Sequence, residues 1–167
     1  MSLQKHISKS YNQDIKDIND EINEMLISNI QAMEMVKECI NNPDSSFRTK
    51  IKSHDKKTNQ LDIKIEKKIV SILALRQPMS SDLRYVVSAL RVAANLERVG
   101  DKCKNIIKEI INIKDNINDK NRQILLKMHD LCVKMLTSAV NSFNEIDDAK
   151  ASKIIEQQED EVDEIYN

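Results

Sequence analysis

The stretch from Leu75 to Asn105, LRQPMSSDLRYVVSALRVAANLERVGDKCKN, decides how this chain reads. It contains Pro78, one of two prolines, and Gly100, the single glycine of the 167 residues. Pro78 lacks a backbone donor and turns Gln77 away from helical angles, so a helix arriving from the N-terminal side stops here. Ser80 or Ser81 can cap the next helix, with Asp82 in its first turn at the positive end of the helix dipole. That helix carries Tyr85, Ala89, Val92, Leu96, Val99, Cys103, Ile106, Ile110 and Ile113 at alternating steps of three and four. Its first half is apolar on a second side as well, through Val86, Val87, Leu90, Ala93 and Ala94, and Glu97 and Asp101 continue that side. A tight reversal and a long helix buried on two sides follow from the pattern.

Working outward, the composition excludes sheets. Aromatic residues make up 3% of the chain, and one glycine cannot supply the turns of a β fold. Charged residues at 32% and a hydrophobic fraction of 40% fit long amphipathic helices, so the fold class is all-α, a helical bundle. A net charge of −1 argues against a general grip on nucleic acid. The three cysteines, Cys39, Cys103 and Cys132, show no metal or disulfide spacing and read as buried reduced thiols of a cytoplasmic protein. The longest apolar run, Ile69 to Leu75, is too short to span a bilayer, and no apolar signal core opens the chain.

Upstream of the turn, periodicity is clear from Asp14. Ile15, Ile18, Ile22, Met25, Ala32, Val36 and Cys39 form the seam of a first helix that ends near Asn41-Asn42-Pro43. Asp44 or Ser45 can cap a second helix, from about Ser46 to Arg76, with a seam of Ile51, His54, Thr58, Leu61, Ile65, Ile69 and Ile72. Lys57, Lys64 and Lys68 fall off that seam and read as a solvated face. Asp55, Asn59, Asp62 and Glu66 make an oxygen-bearing stripe at the edge of the seam.

Downstream, Lys114 to Asn121 is a polar connection. A fourth helix follows with a seam of Leu125, Met128, Cys132, Met135, Ala139 and Phe143, and a fifth is expected from Ala149. A shift of 104 places lays Asp44 on Asp148, Ile51 on Ile155, Asp55 on Glu159 and Asn59 on Asp163. Residues 1–116 thus form one three-helix unit and 117–167 an incomplete second copy without a counterpart of Glu97-x-x-x-Asp101. The apolar faces of that partial copy call for a partner, so oligomerisation is expected.

Glu97 and Asp101 point the same way from consecutive turns and can share a cation, with Asp55 and Asn59 facing them from the second helix. Oxygen donors suit hard cations such as Mg, Mn, Ca or ferric iron. Gly100 keeps a bulky side chain out of the space beside the pair. Catalytic apparatus is missing: there is no glycine-rich phosphate loop or nucleophile elbow, and His6, His54 and His129 are isolated. His54 reads as a packed histidine. An enzyme is not expected, and a metal-dependent hydrolase lacks a positioned base. The other open reading is a structural helical oligomerisation module in which the carboxylates are solvated or salt-bridged.

Three pieces, LRQP at Leu75–Pro78, SDLR at Ser81–Arg84 and LERVGD at Leu96–Asp101, together resemble the PhoU family of phosphate transport and signalling regulators. The resemblance implies paired three-helix bundles, often dimerised, in a cytoplasmic negative regulator of phosphate uptake. It also implies two partners, the ATPase subunit of the phosphate ABC transporter and a phosphate-sensing histidine kinase. Members hold metals through (Glu/Asp)-x-x-x-Asp pairs. By position, the first site uses Glu97, Asp101, Asp55 and Asn59, and Glu159 and Asp163 belong to the second. Asn59 stands where a carboxylate would bind a cation more strongly.

Overall fold

The computed structural model describes residues 3–145 and, beyond them, 152, 161–162 and 164–165; side chains are described from residue 10 onward, except residue 116. Four helices follow one another: α1 (Leu3–Asn41), α2 (Phe47–Arg76), α3 (Ser81–Ile113) and α4 (Asp119–Glu145), with a 3-10 turn at Lys114–Asn116. No strand occurs among the described residues, as the composition requires. The helices α1, α2 and α3 pack mutually as a three-helix bundle, and α4 lies on α1. The fifth helix and the residues Asp148, Ile155, Glu159 and Asp163 of the proposed repeat lie outside the described residues.

The seams of α1 and α2 are those the spacing predicts. Ile18, Ile22, Met25, Ala32, Val36 and Cys39 are buried on α1, as are Ile51, Thr58, Leu61, Ile65, Ile69 and Ile72 on α2; His54 is half-buried. Helix α1 begins at Leu3, ahead of Asp14, where the apolar periodicity becomes clear. Its early turns are tied down by polar contacts: Arg76 at the end of α2 donates to Ser10 Oγ and, at 3.2 Å, to Asp14 Oδ2.

On α3 the buried track is Val86, Ala89, Ala93, Leu96, Gly100, Cys103, Ile107 and Ile110, a strict alternation of three and four. The expected track shares Ala89, Leu96, Cys103 and Ile110 with it, but Ile106 and Ile113 are exposed. On α4 the correction is larger. His129, Leu131, Val140 and Ser142 are the buried positions, whereas Cys132 and Ala139 are exposed. The reading of all three cysteines as buried therefore holds for Cys39 and Cys103 only. The α4 helix is apolar on two sides, and the side meeting α1 is the one that contains His129. There Nε2 lies 2.9 Å from the Met33 carbonyl oxygen and Nδ1 lies 3.0 Å from Asp130 Oδ1.

The lysines of α2 also differ from a merely solvated face. Lys57 pairs with Glu24 at 3.0 Å, Lys64 with Glu21 at 2.9 Å, and Lys68 with Glu21 at 2.8 Å, all across to α1. The core divides into two apolar clusters. One is centred on Ile22, Ile65 and Ala93, and the other on Val36, Ile51 and Ile107. Between them lie the buried polar residues Ser28, Asn29 and Thr58, of which Asn29 and Thr58 face Gly100. Asn29 Nδ2 donates to the Leu96 carbonyl at 2.7 Å, and Thr58 Oγ1 donates to the His54 carbonyl at 2.9 Å.

The reversal between α2 and α3 is tight. Gln77 adopts left-handed angles, φ 48° and ψ 55°, and Ser80 has φ 53°. Pro78 between them enforces the stop of α2. Ser80 makes no side-chain cap on α3. Ahead of α2, Asp44, one of the two cap candidates, accepts the Ser46 amide on Oδ1 at 2.7 Å in a local turn.

Candidate functional site

Because α2 and α3 are antiparallel neighbours, the oxygen stripe of α2 comes to face Glu97 and Asp101 of α3. Lys104 closes the arrangement: its Nζ lies 2.8 Å from Asp55 Oδ1 and 2.7 Å from Asp101 Oδ1. The Asp55 side chain is mostly buried, at 18% exposure, while that of Asp101 is 48% exposed. Asn59 is half-buried one helical turn beyond Asp55, and Glu97 is half-buried one turn before Asp101.

The electrostatics follow from that geometry. The hydrogen bond from Lys104 holds the Asp101 carboxyl below its ordinary value. Reciprocally, the bonds to Asp101 and then Asp55 raise Lys104. Glu97 behaves oppositely. Burial pushes it up, and the neighbouring carboxylates of Asp101, Asp62 and Asp55 push it further. Asp62 is raised as well, by burial and by Glu66. The face thus carries more negative charge than Lys104 neutralises.

Of the residues expected at the first site, the fold brings Asp55, Glu97 and Asp101 into mutual electrostatic contact and sets Asn59 on the same stripe. Glu159 and Asp163, expected at the second, lie outside the described residues. The donors are all oxygens, which suits a hard cation. The ammonium of Lys104 stands where a cation would bridge Asp55 and Asp101. In this arrangement no three His, Cys, Asp or Glu side chains converge as a cation cage among the described residues. A metal would have to displace Lys104.

Gly100 needs a different explanation from the one its position suggests. A Cβ there would lie 3.1 Å from Asn29 Oδ1 and 3.5 Å from Thr58 Oγ1. The glycine lets α3 approach the polar level of α1 and α2, and the space beside it is filled by their side chains. Lys104 is the residue that sequence reasoning missed. Its only local signal is the three-residue step from Asp101, because the contact with Asp55 spans two helices.

The PhoU domain model matches residues 22–110 and 125–167. The chain belongs to the PhoU family. The motifs LRQP, SDLR and LERVGD, which carry the resemblance, all lie in the first matched stretch. Similar proteins include the phosphate-specific transport system accessory protein PhoU of Serratia marcescens, 27% identical over 92% of this chain and 63% of its own length. The protein of the same name from Escherichia coli is 27% identical over 99% of this chain and 68% of its own. A PhoU homolog of that accessory protein in Rhizobium meliloti is 32% identical over 96% of this chain and 68% of its own. The chain therefore spans about two thirds of the length of these curated relatives. Their names describe accessory proteins of a phosphate-specific transport system. Among the described residues, no helix is long and apolar enough to cross a membrane.

Proposed function

We propose that this PhoU-family chain is a non-enzymatic accessory regulator of phosphate transport, acting in the cytoplasm as a negative regulator of uptake and of phosphate-starvation signalling. The observation that carries the reading is the family match over both stretches of the chain, together with relatives named as phosphate-specific transport accessory proteins. In this reading it works by docking. Its partners are the ATPase subunit of the phosphate ABC transporter and a phosphate-sensing histidine kinase, and it assembles as a homodimer or higher oligomer.

The acidic face of α2 and α3 is the proposed regulatory site. Asp55, Glu97 and Asp101, with Asn59 beside them, would hold a hard cation such as iron, Mg, Mn or Ca; Glu159 and Asp163 would serve a second site. A bound cation would supply the positive charge that Glu97 and Asp62 now lack, and would release Lys104 from Asp55 and Asp101. Support comes from the all-oxygen donor set and from the ammonium already seated between two carboxylates of different helices.

Co-purification of the tagged chain with the transporter ATPase tests the docking reading, with wild type compared to a Glu97→Ala/Asp101→Ala variant across phosphate and metal conditions. Absence of interaction in every condition contradicts it. Metal analysis stands apart: a chain that takes up no divalent or ferric ion loses the cation site and keeps the docking role. The same lysine pairing also favours a second reading, a helical oligomerisation module with salt-bridged carboxylates. That reading expects Glu97→Gln and Asp101→Asn to leave assembly and partner binding unchanged.

A further inference from the structure

The outer side of the α2–α3 hairpin is zoned. At roughly 100° per residue, Asp55, Asn59, Asp62, Glu66, Val70 and Leu73 share one stripe of α2. Asp101, Glu97, Ala94, Leu90, Val87 and Leu83 share the facing stripe of α3. Since the helices are antiparallel, acid meets acid at one end and apolar meets apolar at the other. Lys104 fixes the first pairing, its Nζ lying 2.8 Å from Asp55 of α2 and 2.7 Å from Asp101 of α3. At the second end Val70 is 58% exposed, Leu83 40%, and Leu73 and Val87 37% each. The apolar zone continues to the tip of the hairpin through Leu75 and Met79, 75% and 79% exposed. Helix α4 packs on α1, leaving this side of the hairpin uncovered among the described residues.

We infer that this furrow seats one amphipathic helix of a partner protein, with Lys or Arg at the end lying over Asp62, Glu97 and Asp101 and apolar side chains at the end lying over Leu73, Leu83 and Val87. The furrow between two antiparallel helices is the shape that α1 fills on the opposite side, and helix-in-groove docking uses that shape. Charge complementarity selects the occupant. A twofold pairing with a second copy sets the acidic zone against another acidic zone or against the apolar one, and both leave carboxylates without counter-charge. An anionic lipid surface is repelled by the same carboxylates. A basic end sets counter-charge over the carboxylates of Asp62 and Glu97 while an apolar end covers the exposed leucines and valines. The inference deepens the docking part of the proposed function and rests on it for the partner's biology alone. A peptide assay reads the furrow, whereas co-purification reads the partner, so the two can fail separately.

The test uses the full chain and a fluorescein-labelled synthetic helix of about eighteen residues, roughly 27 Å long, with lysines in one half and leucines in the other. A control peptide carries glutamates in place of the lysines. Anisotropy titration is expected to give at least about tenfold tighter binding of the Lys/Leu peptide. Leu73→Glu/Val87→Glu and, separately, Asp62→Lys/Glu97→Lys are each expected to weaken it about tenfold with the circular dichroism spectrum retained. The exposed apolar pair leaves the core intact, so a lost signal is not lost folding. Equal binding of both peptides overturns the proposal, as does binding that neither variant changes. It is also overturned if sedimentation shows a dimer that the same variants split, or if phosphatidylglycerol vesicles bind the chain and the variants abolish that binding.

Discussion

Lys104 of α3 reaches Asp55 of α2, with Nζ 2.8 Å from Oδ1, and so places an internal cation in the acidic face. The same ammonium serves Asp101 at 2.7 Å, joining two helices at the level where the apolar core is interrupted. A positive group in that position both steadies the face and competes with any other cation.

Lys104→Gln removes the competitor and leaves every carboxylate in place. Calorimetric titration with Mn or Ca is expected to show affinity rising by about tenfold over wild type, as removal of one unit charge beside a half-exposed site implies. Asp55→Asn in the Lys104→Gln background is expected to cancel the gain. Unchanged affinity across the three proteins would remove the cation from the account.

Glu97 gives a pH-dependent expectation. Burial first, then Asp101, Asp62 and Asp55, raise its carboxyl above the ordinary value. For an acid raised by folding, ionisation opposes the fold. The penalty is absent below the unfolded value of about 4.3 and complete once pH exceeds the raised folded value. Glu97→Gln is therefore expected to stabilise the chain at pH 7 by roughly a few tenths of a kcal/mol, solvent screening keeping it small. The gain should fade as pH falls from the raised folded value to about 4.3. Asp101 has the opposite sign: the Lys104 bond lowers it, so its contribution is present at neutral pH and is lost as pH falls through the lowered value. Urea midpoints of both variants at several pH values check the pair.

The seams of α1 and α2 were legible because their large apolar side chains recur at unambiguous steps. On α3 two tracks share Ala89, Leu96, Cys103 and Ile110, and the track that is buried includes a glycine, which carries no apolar signal. Burial of Gly100 therefore became visible only with Asn29 and Thr58 opposite it. On α4 the expected seam runs through Cys132 and Ala139, which are exposed, and a histidine, not a large aliphatic residue, marks the side that meets α1. The acidic stripe of α2 and the Glu97/Asp101 pair were readable as facing sets, since helical phase and the Pro78 reversal suffice for that. Lys104 was not, because an ion pair across helices depends on their axial offset, which no single-helix pattern contains.

Gly100 and Asn29 form a coupled pair. Alanine in mid-helix is worth about 1 kcal/mol over glycine, but a Cβ at 3.1 Å from Asn29 Oδ1 needs that side chain to yield. The bond from Asn29 Nδ2 to the Leu96 carbonyl at 2.7 Å resists the shift. Gly100→Ala alone is expected to give no gain in thermal stability, whereas in an Asn29→Ala background it should stabilise by about 1 kcal/mol. A double-mutant cycle by chemical denaturation measures the difference; additivity would contradict the packing described.

His129 fastens α4 to α1. Its partners, the Met33 carbonyl and the Asp130 carboxylate, are both acceptors, and the ring is buried. His129→Ala leaves the Met33 carbonyl without this donor and opens a gap between α4 and α1. A loss of about 1–3 kcal/mol is expected, with faster hydrogen exchange in α4 than in α2 or α3. Uniform exchange across all four helices would contradict the assignment.

In the proposed function the acidic face of α2 and α3 is the regulatory docking site of this PhoU-family chain. Quantitative co-purification with the phosphate transporter ATPase, comparing wild type with Asp55→Asn/Glu97→Gln/Asp101→Asn, decides whether it is. Capture by wild type is expected, with at least about tenfold less by the triple variant and helicity unchanged. Equal capture by both proteins, or none by either in any phosphate and metal condition, would contradict it.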